Sequence, residues 1–172
     1  MKNKRLFKLT ITAMLAALSY VMSTFVSFPY MAPFQHLFNV ITGVFVGPYY
    51  ALAAAFVTGC MRIALNGSTA LAIIGAVFGA FLAGLFYSKS KSFLLTALGE
   101  MIGTGIISAV CAYPIMKYMF NVDLPSPVFY IPFFLPSSAM GSVLGLIILF
   151  TLRKTGTLRH LQRYFREEKQ TH

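Results

Sequence analysis

The sequence predicts an all-α integral membrane protein: a compact bundle of six transmembrane helices with both termini cytoplasmic. Three observations predict it. Hydrophobic residues are 58% of the 172 and charged residues 10%, with a mean hydropathy of +0.74, whereas a soluble domain carries roughly 25% charged residues. The length suits about six spans of roughly 20 residues and little else, leaving no room for a nucleotide-binding domain. Basic residues cluster between or beyond the apolar runs: Lys2, Lys4, Arg5 and Lys8; Lys89 and Lys91; Arg153, Lys154, Arg159, Arg163, Arg166 and Lys169. A net charge of +10 on one open surface would suit nucleic acid. Clustered in this way it sets topology on one membrane face and suits an anionic leaflet.

The first expected span covers residues 6–27. Its basic start and apolar run resemble a signal peptide, but the run is long and bulky Phe28-Pro29-Tyr30 follows it, so it reads as a retained helix. Residues 34–65 are too long for one span and are interrupted at Gly47-Pro48. Proline suits the first turn of a helix and not its interior. The stretch therefore divides into spans 34–46 and 48–65, the former short enough to be tilted, irregular or sheltered. Asn66-Gly67-Ser68 is a turn. Spans 69–87, 92–120 and 128–152 follow, separated by loops at Ser88–Lys91 and around Asp123, and residues 153–172 form a basic cytoplasmic tail with a short surface helix expected in it. Charge tests the division: six spans place all three basic clusters inside, whereas five strand two of them outside.

Small residues recur four apart at Ala13 and Ala17, at Gly75, Gly79 and Ala83, at Gly99 and Gly103, and at Ser137, Gly141 and Gly145. Such stripes let helices approach closely; the first of them reads equally as a surface for a partner protein. Cys60 and Cys111 lie in apolar stretches without metal-ligand spacing and read as small buried side chains.

Three ionisable residues interrupt the apolar runs: His36, Arg62 and Glu100. In hydrocarbon each must face a partner or a wet cavity. Gln35, His36 and Asn39 share a helical face. The expected topology places them in the outer half of the bundle with Arg62, Asn66, Ser108, Tyr113 and Ser137, beside Ser68, Thr69, Tyr130 and Ser138. Phe25, Phe28, Tyr30, Phe34, Phe129, Phe133 and Phe134 surround that region. A mostly apolar pocket with a few placed polar groups is the usual form of a small-molecule site. Each member also has a plain reading: an interfacial histidine, a snorkelling arginine, a membrane-interface aromatic belt. Glu100, nearer the inner face, has three readings: a pair with a polar group of another helix, a protonated carboxyl, or the pocket floor. No phosphate-binding loop, no metal-ligand cluster and no serine–histidine–acid set is present in the sequence, and neither an ion path nor an inverted repeat is evident.

These residues resemble a known family. Ala13-Met14-Leu15-Ala16-Ala17 in a six-span basic membrane protein resembles the S components of energy-coupling factor vitamin transporters. APFQHLFNVITGVFVGPYYALAAAFVTGCMRIALNGST (residues 32–69), GEMIGTGIISA (99–109) and PSSAMGSVLG (136–145) are similar to the ThiW branch of that group. Ile73-Ile74-Gly75 departs from the phenylalanine–proline–glycine turn expected there. The resemblance implies a multi-pass protein of the prokaryotic cytoplasmic membrane that is not an enzyme. It implies capture from outside of the thiamine precursor hydroxyethylthiazole, with Gln35, His36, Asn39, Arg62, Asn66, Glu100, Ser108, Tyr113 and Ser137 as candidate substrate-binding residues. It also implies docking through Ala13 and Ala17 onto a membrane scaffold protein with two cytoplasmic ATPases. ATP would then be used by those partners, and the chain itself would hold no cofactor and no metal. Hydroxymethylpyrimidine and thiamine are the alternative ligands. A small membrane enzyme using His36 and Glu100 as acid and base, and a structural subunit without ligand, are the competing classes.

Overall fold

A computed structural model describes residues 4–26 and 28–156. Among the described residues there are six helices: α1 (Lys4–Phe25), α2 (Pro33–Val46), α3 (Pro48–Asn66), α4 (Leu71–Ser90), α5 (Phe93–Met119) and α6 (Ile131–Lys154). Their ends differ from the expected span limits by up to three residues. α4 runs on to Ser90, where Lys91 takes a left-handed φ of 57° and donates its backbone N–H to Tyr87. α6 starts late because the chain turns between Ser126 and Ile131. The expected helix in the basic tail, together with Lys2 and Ser27, lies outside the described residues. Ile73-Ile74-Gly75 forms no turn and is uninterrupted helix within α4.

Five of the helices are long and apolar enough to cross a membrane. The exception is α2, whose 14 residues reach only about 20 Å at 1.5 Å per residue. It is nevertheless the central element. It packs against every other helix, and eleven of its residues are buried. Leu37, Val40, Ile41 and Val44 on α2 meet Tyr87, Phe93 and Leu149 in one part of the core. A short helix buried along most of its length lies inside the bundle, and here α1 and α3 to α6 shelter it. Gly47 makes the reversal into α3 with φ 89° and ψ −179°, a region open essentially to glycine alone, and Pro48 then starts the new helix.

Close backbone approach holds the bundle together. A methyl group on Gly103 would stand 2.6 Å from the Gly79 Cα, and one on Gly79 would stand 2.7 Å from the Glu100 carboxyl carbon. α4 and α5 therefore touch at glycine, where no side chain intervenes. α2 meets α4 in the same way at Gly43 and Gly84. The stripe on α1 behaves differently. Its inward face is Thr12, Ala16, Ser19 and Ser23, with Thr58 Oγ1 donating to the Ala16 carbonyl at 3.2 Å. Ala13 and Ala17 are exposed and so take no part in packing the bundle.

The described members of the three basic clusters collect at one end of the bundle, where Lys8 lies over Tyr50, Lys91 over Tyr87 and Arg153 over Phe93; Arg62 in α3 and Lys117 in the last turn of α5 lie toward the opposite end. The opposite end carries the start of α2, the end of α3 and the starts of α4 and α6.

Replacing Gly79 by alanine is expected to lower stability by about 1–3 kcal/mol, the usual cost of overpacking. Thermal unfolding of the detergent-solubilised protein checks this; an unchanged midpoint would mean that α4 and α5 are not in backbone contact there.

Candidate functional site

α2 is shorter than the helices around it, and the space above its first turn is a cavity of about 260 Å³. Its wall is formed by Phe28, Tyr30, Met31, Ala32, Gln35, His36, Arg62, Ser68, Thr69, Leu71, Ala72, Gly75 and Phe134. The cavity lies at the end of the bundle away from the three basic clusters. Phe28 to Met31 form a four-residue turn across its mouth, closed by reciprocal backbone hydrogen bonds of 3.0 and 2.9 Å. Pro29 suits the second position of such a turn and a left-handed residue the third; Tyr30 fills the third with φ 60°. That conformation costs a non-glycine residue about 1 kcal/mol or more. Edge-to-face contacts with Phe129, Tyr130 and Phe133, at centroid distances of 6.5, 5.9 and 5.3 Å, offset it. Burial, with a smaller contribution from Tyr30, holds the Tyr130 phenol above its ordinary pKa, so it stays neutral.

Below the cavity the polar side chains of α2 are tied to its neighbours. Gln35 donates to the Ala72 carbonyl on α4 at 3.1 Å and accepts from Arg62 on α3. Asn39 donates to the Ala76 carbonyl at 3.2 Å and to Glu100 Oε1 at 3.2 Å. His36 Nδ1 lies 2.9 Å from the same Oε1, and Thr104 donates to it at 2.9 Å. Glu100 is fully buried, and its Oε2 has no partner. Of the three readings of Glu100, the structure has the pair with another helix: the carboxyl faces α2 from beneath the cavity and does not line it.

Gln35, His36 and Arg62 are thus the predicted site residues that stand in the cavity wall. The other six do not. Asn39 and Glu100 lie one layer deeper. Asn66 faces α1, accepting from Tyr20 at 2.8 Å and donating to Thr24 at 2.8 Å. Ser137 Oγ accepts from the Ala32 backbone N–H at 2.9 Å, behind the cavity. Tyr113 accepts from Lys117 at 2.9 Å. Ser108 is buried without a partner for its hydroxyl. Counting residues along a helix gives depth, not direction, and these residues point elsewhere at the right height. Of the aromatic residues expected around the site, Phe28, Tyr30 and Phe134 reach it. Met31, Ala32, Leu71, Ala72 and Gly75 complete the wall without being expected from the sequence, since apolar residues carry no chemical signal. The available clue was their adjacency to the turn at residues 66–68. Among the described residues no group of histidine, cysteine and acidic side chains is placed to hold a metal ion.

Comparison with known proteins adds one finding. A family model described as thiamine-precursor transporter protein (ThiW) matches residues 9–155. No curated protein and no solved structure matches the chain.

Replacing Glu100 by leucine strands buried donors from Asn39, Thr104 and His36. Each unsatisfied buried group costs about 1–3 kcal/mol, so this variant is expected to unfold at a much lower temperature than Glu100→Gln, which keeps an acceptor oxygen. Equal midpoints for the two variants would show that the carboxyl does not hold α2 to α5.

Proposed function

The chain belongs to the ThiW family of thiamine-precursor transporters, and from that premise we propose that it is the substrate-capturing S component of an energy-coupling factor importer, taking up hydroxyethylthiazole. The observation that carries this reading is the cavity above α2. Its volume of about 260 Å³ falls below the roughly 300–1,000 Å³ of drug-sized sites, which suits a single small ring better than the two linked rings of thiamine. Aromatic and aliphatic walls suit a ring face, and Arg62, His36, Ser68 and Thr69 supply a few directed polar contacts. Arg62 is the charged residue of the wall, which disfavours the thiazolium cation of thiamine and favours a neutral ligand.

The positive-inside tendency places the basic end of the bundle in the cytoplasm and the cavity outside, as capture from outside requires. Ala13 and Ala17, exposed on α1, are free to meet the membrane scaffold, which two cytoplasmic ATPases would drive. The chain then binds and does not catalyse. Release inward follows reorientation of the loaded protein in the membrane.

Purified protein is expected to bind hydroxyethylthiazole without ATP, raising its thermal midpoint as a ligand selective for the folded state does. Arg62→Ala and His36→Ala should each weaken binding at least about tenfold, in line with loss of one polar contact of roughly 1.5 kcal/mol. Ser108→Ala and Tyr113→Phe should leave affinity within about threefold, since neither residue lines the cavity. Calorimetric titration checks all four; tight binding of thiamine with none of the thiazole would overturn the choice of ligand.

A further inference from the structure

The hydrogen bonds beneath the cavity determine which nitrogen of His36 carries its proton. The Ala76 carbonyl can only accept, so the Asn39 atom 3.2 Å from it is the NH2 group. That same NH2 group is 3.2 Å from Glu100 Oε1, so Oε1 accepts there too. Thr104 donates to the same oxygen at 2.9 Å. An oxygen already accepting twice carries no proton of its own, so the ring nitrogen 2.9 Å from it, Nδ1, is the one that bears hydrogen.

The other ring nitrogen, Nε2, makes no hydrogen bond within the chain and is not among the buried unpartnered atoms. The side chain keeps 7% of its surface exposed, and the cavity is the space it borders. Charge decides whether Nε2 also carries a proton. The groups near His36 from α3 and α5 are Arg62, which shares its cavity wall, and Glu100. The serines of α6 and the backbone of α4 are neutral. A doubly protonated ring would set a second positive charge in the wall that Arg62 already occupies, and like charges in a poorly solvated site repel.

We propose that Glu100 is a positioning residue that locks neutral His36 with its proton on Nδ1, so that Nε2 faces the cavity as a hydrogen-bond acceptor. Arg62 borders the same space as a donor. The site thereby selects a small neutral heteroaromatic ligand that offers one donor, a hydroxyl or N–H, to His36 and one acceptor to Arg62. This rests on the capture reading above for its ligand, but the protonation of His36 does not depend on it. A site built around a hydrogen bond rejects analogues lacking the group, because its own buried atom is then left unpaired.

Two measurements test the proposal on the full chain in nanodiscs. The first is the nitrogen NMR spectrum of ring-labelled histidine at neutral pH, with the His36 signals identified by their loss in His36→Gln. Nδ1 is expected to be protonated and Nε2 not; Glu100→Gln, whose amide oxygen can take the Oε1 position and accept from Asn39 and Thr104, is expected to keep the proton on Nδ1, whereas Glu100→Leu, measured below its unfolding midpoint, removes the acceptor and is expected to release the proton from Nδ1. The second is binding of hydroxyethylthiazole against its methyl ether, which keeps the acceptors and loses the donor. The native chain and Glu100→Gln are expected to prefer the alcohol by at least about tenfold, and Glu100→Leu to reduce that preference to within about threefold. A protonated Nε2 in the native chain, a proton moved to Nε2 in Glu100→Gln, or equal affinity of the native chain for alcohol and ether would each overturn the proposal. If the expected proton positions are found but neither compound binds, the lock stands and the choice of thiazole falls. If the alcohol binds to a chain with Nε2 protonated, the reverse holds.

Discussion

A carboxyl group with no exposed surface is the constraint on which this fold rests. Glu100 sits inside a helical bundle where bulk water cannot satisfy it, so every donor it needs must come from the chain. Thr104 lies one turn along on the same helix, and Asn39 and His36 lie on α2. This fixes the rotation and height of α2 against α5, because a slip of one residue would turn all of these donors away. It also explains why Gly79 and Gly103 stand opposite one another. The carboxyl can reach α2 across the bundle only if α4 presents no side chain in its path.

The same demand shapes the rest of α2. Gln35 and Asn39 each spend a donor on a carbonyl of α4, Ala72 and Ala76, which are four residues apart as Gln35 and Asn39 are. A ladder of side-chain amides on backbone carbonyls binds two helices edge to edge without any ion pair. Gln35 then has its oxygen free for Arg62. The guanidinium is thereby held in the cavity wall, where a bare arginine would otherwise extend toward the headgroups. One short, buried helix therefore organises both the core below and the cavity above.

Much of this was legible in the sequence, for a physical reason. Polar groups in apolar runs are expensive, so Gln35, His36, Asn39, Arg62 and Glu100 announce themselves, and the structure ties Arg62 to Gln35 and both His36 and Asn39 to Glu100. Gly47-Pro48 marks the start of α3 because few residues reach that backbone conformation and proline favours a first turn. The count of crossings is less direct: six helices form, but α2 lacks the length of a span, which hydropathy alone does not separate from a sheltered core helix. What was not legible is direction around each helix axis. Ser108, Tyr113, Asn66 and Ser137 have suitable chemistry at a suitable depth and point away from the cavity. The wall at Ala72 and Gly75 is chemically silent. Glu100 was the hardest to place, since pairing with α2 required knowing that α4 was thin at Gly79.

The balance of charge in the interior has a consequence for transport by bodily reorientation. Moving one elementary charge through the membrane potential costs or gains about 2.3 kcal/mol per 100 mV. Arg62 and an ionised Glu100 would travel together in any such movement, with charges of opposite sign. On the capture reading proposed above, with His36 neutral and a neutral cargo, such a core would carry little net charge, and its reorientation would be nearly independent of membrane potential. A cationic cargo would break that balance. It would meet Arg62 at the wall, and it would couple each cycle to the potential. A cavity selective for a neutral molecule would thus also free the driving force to come from elsewhere, as the proposed use of ATP by partner subunits would require.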